Sequence, residues 1–134
     1  MKKWITAVAA SGICVSLTPS VAQADPPPMT PAYAYDCGHK SIRPAEIVIT
    51  CADANNEVVD IDWSVWSTET ALGRGVWTIN PCIPYCAVVP SSKWKRTPVS
   101  VVLTERQDDG FMLMVLTDGS GRNTVVNLRD IAQA

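Results

Sequence analysis

Six short runs of β-branched and aromatic residues, separated by turn-forming residues, constrain the fold of this 134-residue chain more than any other feature. Val, Ile, Thr and Trp suit the pleated, half-buried surface of a strand, whereas Gly, Asn, Asp and Pro form turns. Apart from the last residues, no stretch shows apolar residues at helical spacing over three turns. The sequence therefore predicts an all-β domain, a small antiparallel β-sandwich or barrel of about six strands. The predicted strands are 46–51, 57–66, 71–79, 98–107, 111–118 and 124–129.

The second run, 57–66, alternates well enough to predict which of its residues face the core. Successive side chains of a strand point to opposite faces, so we expect Val59, Ile61, Trp63 and Val65 on the buried face. The polar residues between them are then exposed to solvent. Trp63 is accordingly predicted to be a core residue and not a binding platform.

Glycines in the third run, and apolar residues in a later hairpin, predict two further features of the sheet. Gly73 and Gly75 lie inside the third run, where glycine usually marks a bulge or a close approach of two backbones. The hairpin predicted around the turn 108–110 carries apolar residues on both faces. We therefore expect this hairpin to be covered on both sides or to meet a partner.

The first 24 residues have the three parts of a secretory signal peptide. Two lysines precede an apolar run that ends near Leu17, and the triplet at 22–24 has the small-x-small form of a cleavage site. The apolar run is shorter than the roughly 20 residues needed to cross a bilayer. We expect cleavage after Ala24, a secreted or cell-envelope location, and no transmembrane segment in the mature protein.

The segment 25–36 contains four prolines and shows no apolar periodicity. Proline has no backbone N–H to donate to a β-ladder and favours extended states. We therefore predict a Pro-rich flexible lead over 25–36. A single disulfide-stabilised β domain is expected over 37–134.

The mature chain is acidic, which bears on its partners. Loss of the signal peptide removes two of the eleven basic residues and none of the thirteen acidic ones. Nucleic-acid binding depends on clustered Lys and Arg that release counterions from phosphates. The composition argues against a nucleic-acid partner, and against an anionic membrane held by overall charge.

Four cysteines remain after cleavage: Cys37, Cys51, Cys82 and Cys86. An even number in a small exported domain predicts disulfides, and closure of short loops favours Cys37 with Cys51 and Cys82 with Cys86. The sequence leaves the two other pairings open. The spacing from 82 to 86 fits neither a thioredoxin-type redox motif nor a haem attachment site. Four thiolates are also a zinc ligand set, but an oxidising compartment favours disulfides, so we expect no metal and no cofactor.

Oxygen-bearing side chains at alternate positions from 53 to 62 resemble the ligands of a calcium loop. The EF-hand pattern needs glycine at its sixth position and glutamate at its twelfth, where this chain has Val58 and Ser64. The favoured interpretation is a polar turn followed by the solvent face of a strand.

A small extracellular hydrolase is the alternative that these carboxylates leave open. Asp53, Asp60 or Asp62 would then act in acid and base catalysis with His39, the only histidine. An exposed loop histidine is the simpler interpretation of His39, since the sequence has no nucleophile-elbow pattern.

Lys93, Trp94, Lys95 and Arg96 form the best candidate for a binding loop. An aromatic ring flanked by cations suits contact with a protein, a glycan or an anionic headgroup. The alternative is a solvated connection in which Trp94 folds onto the domain.

The stretch from 36 to 87 carries several motifs in a fixed order: D-C at 36–37, C-A-D-x-N at 51–55, W-x-x-W at 63–66, G-x-G at 73–75 and N-x-C-x-P-x-C-A at 80–87. This combination resembles a group of small exported proteins of unknown function from high-GC Gram-positive (actinobacterial) species. Ala54 stands where that group has glycine. The resemblance implies export, paired cysteines and an all-β body, and it transfers no catalytic residue.

These observations predict a non-catalytic binding or interaction module that is secreted or held in the cell envelope. Its partner is expected to be an unknown protein, a glycan or an envelope component. The small hydrolase and a structural envelope protein are the two alternatives.

Overall fold

A computed structural model describes residues 30–132 of the chain. They form a six-stranded antiparallel sheet in which consecutive strands are neighbours, preceded by a two-stranded sheet. The strands are β1 (Ala34–Asp36), β2 (His39–Ser41), β3 (Ile47–Val48), β4 (Asn56–Trp66), β5 (Ala71–Ile79), β6 (Lys95–Gln107), β7 (Gly110–Asp118) and β8 (Asn123–Asn127). Two short 3₁₀ turns, Cys86–Val88 and Ser91–Lys93, lie between β5 and β6, and helix α1 (Leu128–Ala132) follows β8.

The predicted all-β class with six antiparallel strands is confirmed. Each predicted run supplies one strand of the larger sheet, from β3 to β8. The first run pairs over only two residues, and the last run ends earlier than expected because Leu128 begins α1. The sheet curls, and β1 and α1 pack against it and against each other.

The core contains one cluster of aromatic side chains that contact edge to face. The Trp63 and Trp66 ring centroids are 4.9 Å apart, and those of Trp66 and Phe111 are 5.7 Å apart. The indole N–H of Trp66 donates to the Ala32 carbonyl at 3.0 Å, so the half-buried ring has no unsatisfied donor. The other buried apolar residues are Ala34, Ile47, Val58, Ile61, Ala71, Val99, Val101, Leu103, Met114, Leu116, Leu128 and Ile131.

Strand β4 departs from the predicted alternation. Trp63 is buried as predicted, but Val58 takes the buried place expected for Val59, and Val65 is 40% exposed. Pairing of β4 with β5 shifts register after Val59 and again after Trp63. Each bulge adds a residue and so reverses which face the following side chains occupy.

Gly73 provides the close backbone approach predicted for the third run. It lies opposite Trp63, and a Cβ atom at this position would be 2.8 Å from both Trp63 Cε3 and the Asp62 carbonyl oxygen. Any larger residue would displace the indole from the core.

Residues 32–36 belong to the folded domain, contrary to the prediction that they end a flexible lead. The backbone N–H of Tyr33 donates to Asp109 at 2.8 Å, and the Phe111 N–H donates to Tyr33 at 2.9 Å. Ala32 and Ala34 are fully buried. The expected signal peptide, its cleavage site and residues 25–29 of the lead lie outside the described residues.

The outer face of the sheet carries a row of apolar side chains that crosses four strands. Leu72, Val102, Val115 and Val125 are register partners on consecutive strands. Val102 and Val115 are half-buried, whereas Val125 on the edge strand is 62% exposed. The expectation of a cover or a partner on this face therefore stays a prediction.

Both favoured disulfides are present. Cys37–Cys51 joins the β1–β2 turn to the β3–β4 connection, and Cys82–Cys86 closes a five-residue loop. By the loop-entropy relation these contribute about 3 and about 2 kcal/mol to stability, respectively. Among residues 30–132, no helix has both the length and the apolar character needed to cross a membrane.

Candidate functional site

The connection between β5 and β6, residues 80–94, is the longest in the described chain, and we call it the β5–β6 loop. Cys82 and Cys86 close its first part, and the Ile83–Pro84 peptide bond is cis. None of residues 81–93 is buried. The loop therefore extends from the end of the sheet into solvent while its two ends remain in the fold.

Asn80 fixes the base of this loop through its side-chain amide. The Asn80 Nδ2 atom donates to Asn55 Oδ1 at 2.7 Å and to the Cys86 carbonyl at 3.0 Å. The Asn80 Oδ1 atom accepts from the Cys82 N–H at 2.9 Å. Asn80 is buried, and these three hydrogen bonds tie the loop to the β3–β4 connection and to the end of β5.

Trp94 packs beneath the loop instead of presenting its whole ring to solvent. It is half-buried, and its indole N–H donates to the Val89 carbonyl at 3.3 Å. Beside it lies an open cavity of about 430 Å³. The cavity is lined by Asp53, Asn55, Asn80, Cys86, Ala87, Val89 and Trp94.

The tip of the loop, residues 83–85, presents large side chains to water. Ile83 is 78% exposed and Tyr85 is 60% exposed, and Val88 nearby is 48% exposed. Sequence analysis placed the contact surface at 93–96 and missed this tip. The sequence does contain a sign that this tip is exposed: an isoleucine and a tyrosine lie inside a disulfide loop of five residues, which is too small to bury them.

The three cations of the predicted binding loop lie at the base of the β5–β6 loop. Lys93 ends the second 3₁₀ turn, and Lys95 and Arg96 begin β6. All three side chains are exposed. Arg96 Nη2 lies 3.4 Å from Asp60 Oδ2, a solvent-exposed pair that contributes little to stability.

The structure distributes the four residues of the hydrolase alternative over three different parts of the fold. Asp53 lies in the β3–β4 connection, Asp60 and Asp62 lie on β4, and His39 lies in β2 of the smaller sheet. Hydrogen bonds from the Asn55 side chain and backbone hold the pKa of Asp53 below its ordinary value. Among the described side chains, no three or more His, Cys, Asp or Glu residues converge as metal ligands, and no hydrogen bond joins these four.

Between residues 30 and 132, the β5–β6 loop combines four features, and the residues of the hydrolase alternative are not part of one assembled cluster. These four features are an ordered loop, an exposed apolar tip, a half-buried indole and three cations at the base. Comparison of the chain with protein-family models, with curated proteins and with solved structures finds no match in any of the three.

Proposed function

We propose that the protein is an exported, non-catalytic binding module and that the β5–β6 loop is its contact surface. The observation that carries this proposal is the exposure of Ile83 and Tyr85 on a loop that Asn80 and the Cys82–Cys86 disulfide hold in place. Burying one such side chain against a partner is worth roughly 1.5–3 kcal/mol. In the folded chain Ile83 and Tyr85 remain in water, so their burial can still contribute to the free energy of binding.

The order of the loop supports a binding role because a rigid loop loses little conformational entropy when it meets its partner. Residues of a flexible loop lose roughly 0.5–1.5 kcal/mol for each side chain immobilised at an interface. Here the disulfide and the Asn80 hydrogen bonds have already restricted the backbone that carries the tip. Contact residues on a pre-organised loop are typical of binding surfaces carried by β scaffolds.

Export is part of the same proposal. It is supported by the signal-like residues 1–24 and by two disulfides, which persist in oxidising compartments. Kinship with small exported proteins of high-GC Gram-positive bacteria also belongs to the proposal and is supported by the motifs at 36–87. The location would be the culture medium or the cell envelope, and cell fractionation distinguishes the two.

The test is recovery of cross-linked partners from native culture with three proteins: wild type, Ile83→Ser/Tyr85→Ser and the control Val125→Ser. Val125 is similarly exposed but lies on β8. We expect the tip variant to lose about tenfold or more of the recovered partner, because two apolar contacts are removed. The control should match wild type. Equal recovery by all three proteins, with membrane material counted among the recovered partners, would overturn the proposal.

A further inference from the structure

The β5–β6 loop and the start of β6 carry basic residues and no acidic residue of their own, although the chain as a whole is acidic. From 81 to 104 the sequence contains Lys93, Lys95 and Arg96 and no acidic residue, whereas the full chain has a net charge of −2. Charges beyond a Debye length of about 8 Å are largely screened at physiological salt. A surface that approaches the loop therefore meets Lys93 and Lys95 directly, whereas Arg96 lies beside Asp60. Asp53 lines the cavity next to Trp94.

Apolar and cationic groups follow one another from the tip of the loop to its base. Ile83 and Tyr85 lie in the exposed tip, while Lys95 and Arg96 begin β6 where the loop rejoins the sheet. The interface of a membrane has the same order of environments, with acyl chains innermost, then a zone that favours aromatic residues with a polar group, then lipid phosphates.

The shape of the tip favours a lipid surface over a folded protein. A specific protein interface of standard size buries about 800 Å² on each partner around a packed centre. The tip is part of a five-residue disulfide loop with no buried residue, so it offers no such patch. A bilayer needs no complementary pocket, because its acyl chains rearrange around a side chain that enters them.

We infer that the β5–β6 loop binds anionic lipid membranes, with Ile83 and Tyr85 entering the interface and Lys93, Lys95 and Arg96 contacting lipid phosphates. This inference rests on the proposed function of the loop and names its partner. Entry is limited to roughly 5–10 Å, the depth that interfacial segments reach. Two apolar side chains and three cations give reversible binding that depends on salt and on lipid charge.

The test is co-sedimentation of the disulfide-bonded protein with phosphatidylcholine vesicles that contain either no anionic lipid or roughly 30% phosphatidylglycerol. We expect binding to the anionic vesicles to be at least about tenfold stronger. Ile83→Ser/Tyr85→Ser should lower that binding about tenfold or more, and Lys93→Gln/Lys95→Gln about tenfold. Raising the salt from about 0.1 M to about 1 M should weaken the binding of wild type.

Matched controls separate the loop from the rest of the surface. Val125→Ser removes an exposed apolar side chain elsewhere, and Arg74→Gln/Arg129→Gln removes two exposed cations elsewhere. Both control variants should bind like wild type. Thermal unfolding checks that each variant is folded, and the single change Ile83→Thr replaces the double variant if that one unfolds.

The outcomes distinguish this inference from the function on which it rests. Absence of binding to anionic vesicles, or binding that the tip variant leaves unchanged, overturns the lipid inference. If wild type ignores vesicles while the tip variant loses a cross-linked protein from native culture, the partner is a protein and the proposed function stands. If the tip variant changes neither result, both are overturned.

Discussion

Lys40 Nζ lies 2.7 Å from Asp109 Oδ2, so an ion pair joins β2 of the smaller sheet to the turn between β6 and β7. The hydroxyl of Tyr35 in β1 donates to the other oxygen of the same carboxylate. One aspartate therefore holds both strands of the β1–β2 hairpin against the larger sheet. The Lys40 and Asp109 side chains are partly solvated, so the ion pair alone contributes modestly.

Asp109→Asn should make stability less sensitive to acid. The hydrogen bonds from Lys40 and Tyr35 hold the pKa of Asp109 below its ordinary value. A carboxylate with a lowered pKa contributes stability above its unfolded pKa of about 3.9, and this contribution disappears as the pH falls through the lower folded value.

Thermal unfolding of both proteins as a function of pH is the measurement. The midpoint of wild type should fall more steeply than that of Asp109→Asn below about pH 4, where the unfolded carboxylate takes up its proton. Parallel curves would show that this carboxylate does not stabilise the fold through its charge.

Gly110→Ala should destabilise the fold by about 1–3 kcal/mol, because the methyl group overlaps the ring of Tyr35. A Cβ atom at Gly110 would overlap Tyr35 Cε2. Gly119→Ala is the matched control, since a Cβ there meets nothing within 4 Å. Urea unfolding of the two variants measures the difference. Equal midpoints would mean that the Tyr35 ring moves aside without loss.

Asn80→Ala should cost about 1–3 kcal/mol, because it removes the partners of the Cys82 N–H and the Cys86 carbonyl. It should also raise amide hydrogen exchange across 81–93. Asn123→Ala is the control. Asn123 is exposed, and among the described side chains Thr117 is the one to which it is hydrogen-bonded, so its replacement should change the free energy of unfolding by no more than about 0.5 kcal/mol. Unchanged exchange in Asn80→Ala would show that the disulfide alone orders the loop.

Glu57→Gln should slightly stabilise the protein at neutral pH. Partial burial, followed by the nearby Glu46 carboxylate, raises the pKa of Glu57 above its ordinary value. A raised carboxyl pKa means that stability is lost as the pH rises from the unfolded pKa of about 4.3 through the folded value.

The gain in the free energy of unfolding of Glu57→Gln should be less than about 1 kcal/mol, because the Glu57 side chain remains in contact with water. It should vanish below about pH 4, where Glu57 is protonated in both states. Denaturant unfolding of wild type and variant at two pH values measures this. A gain in stability of the same size at both pH values would show that it does not come from the charge of Glu57.

The sequence predicted the larger sheet well because its signals are local. Runs of β-branched residues between turns define β4 to β8, and consecutive runs pair as hairpins whose registers depend on nearby residues. The two disulfides could be predicted for the same reason, since each joins cysteines that are close in sequence. These features require no knowledge of distant contacts.

Features that depend on distant contacts were predicted less well. Tyr33, directly before β1, forms an isolated bridge with Gly110, whereas the prolines before it suggested a lead without ladder bonds. The bulges of β4 reverse its faces, which an unbroken period of two does not indicate. The exposed tip at 83–85 was missed because exposure depends on what the rest of the fold leaves uncovered, whereas charge and aromaticity at 93–96 are visible in the sequence.

The position of β1 joins the beginning of the described chain to its end. Ala32 and Ala34 are buried against elements that include β7 and α1, which come last in the chain. In a chain that emerges with its amino end first, β1 can pair with β2 early, but its contacts with β7 and α1 form only after Phe111 and Leu128 have followed. The core around this segment is therefore complete only once β7 and α1 are available, and a chain shortened before β7 would leave Ala32 and Ala34 without part of their packing surface.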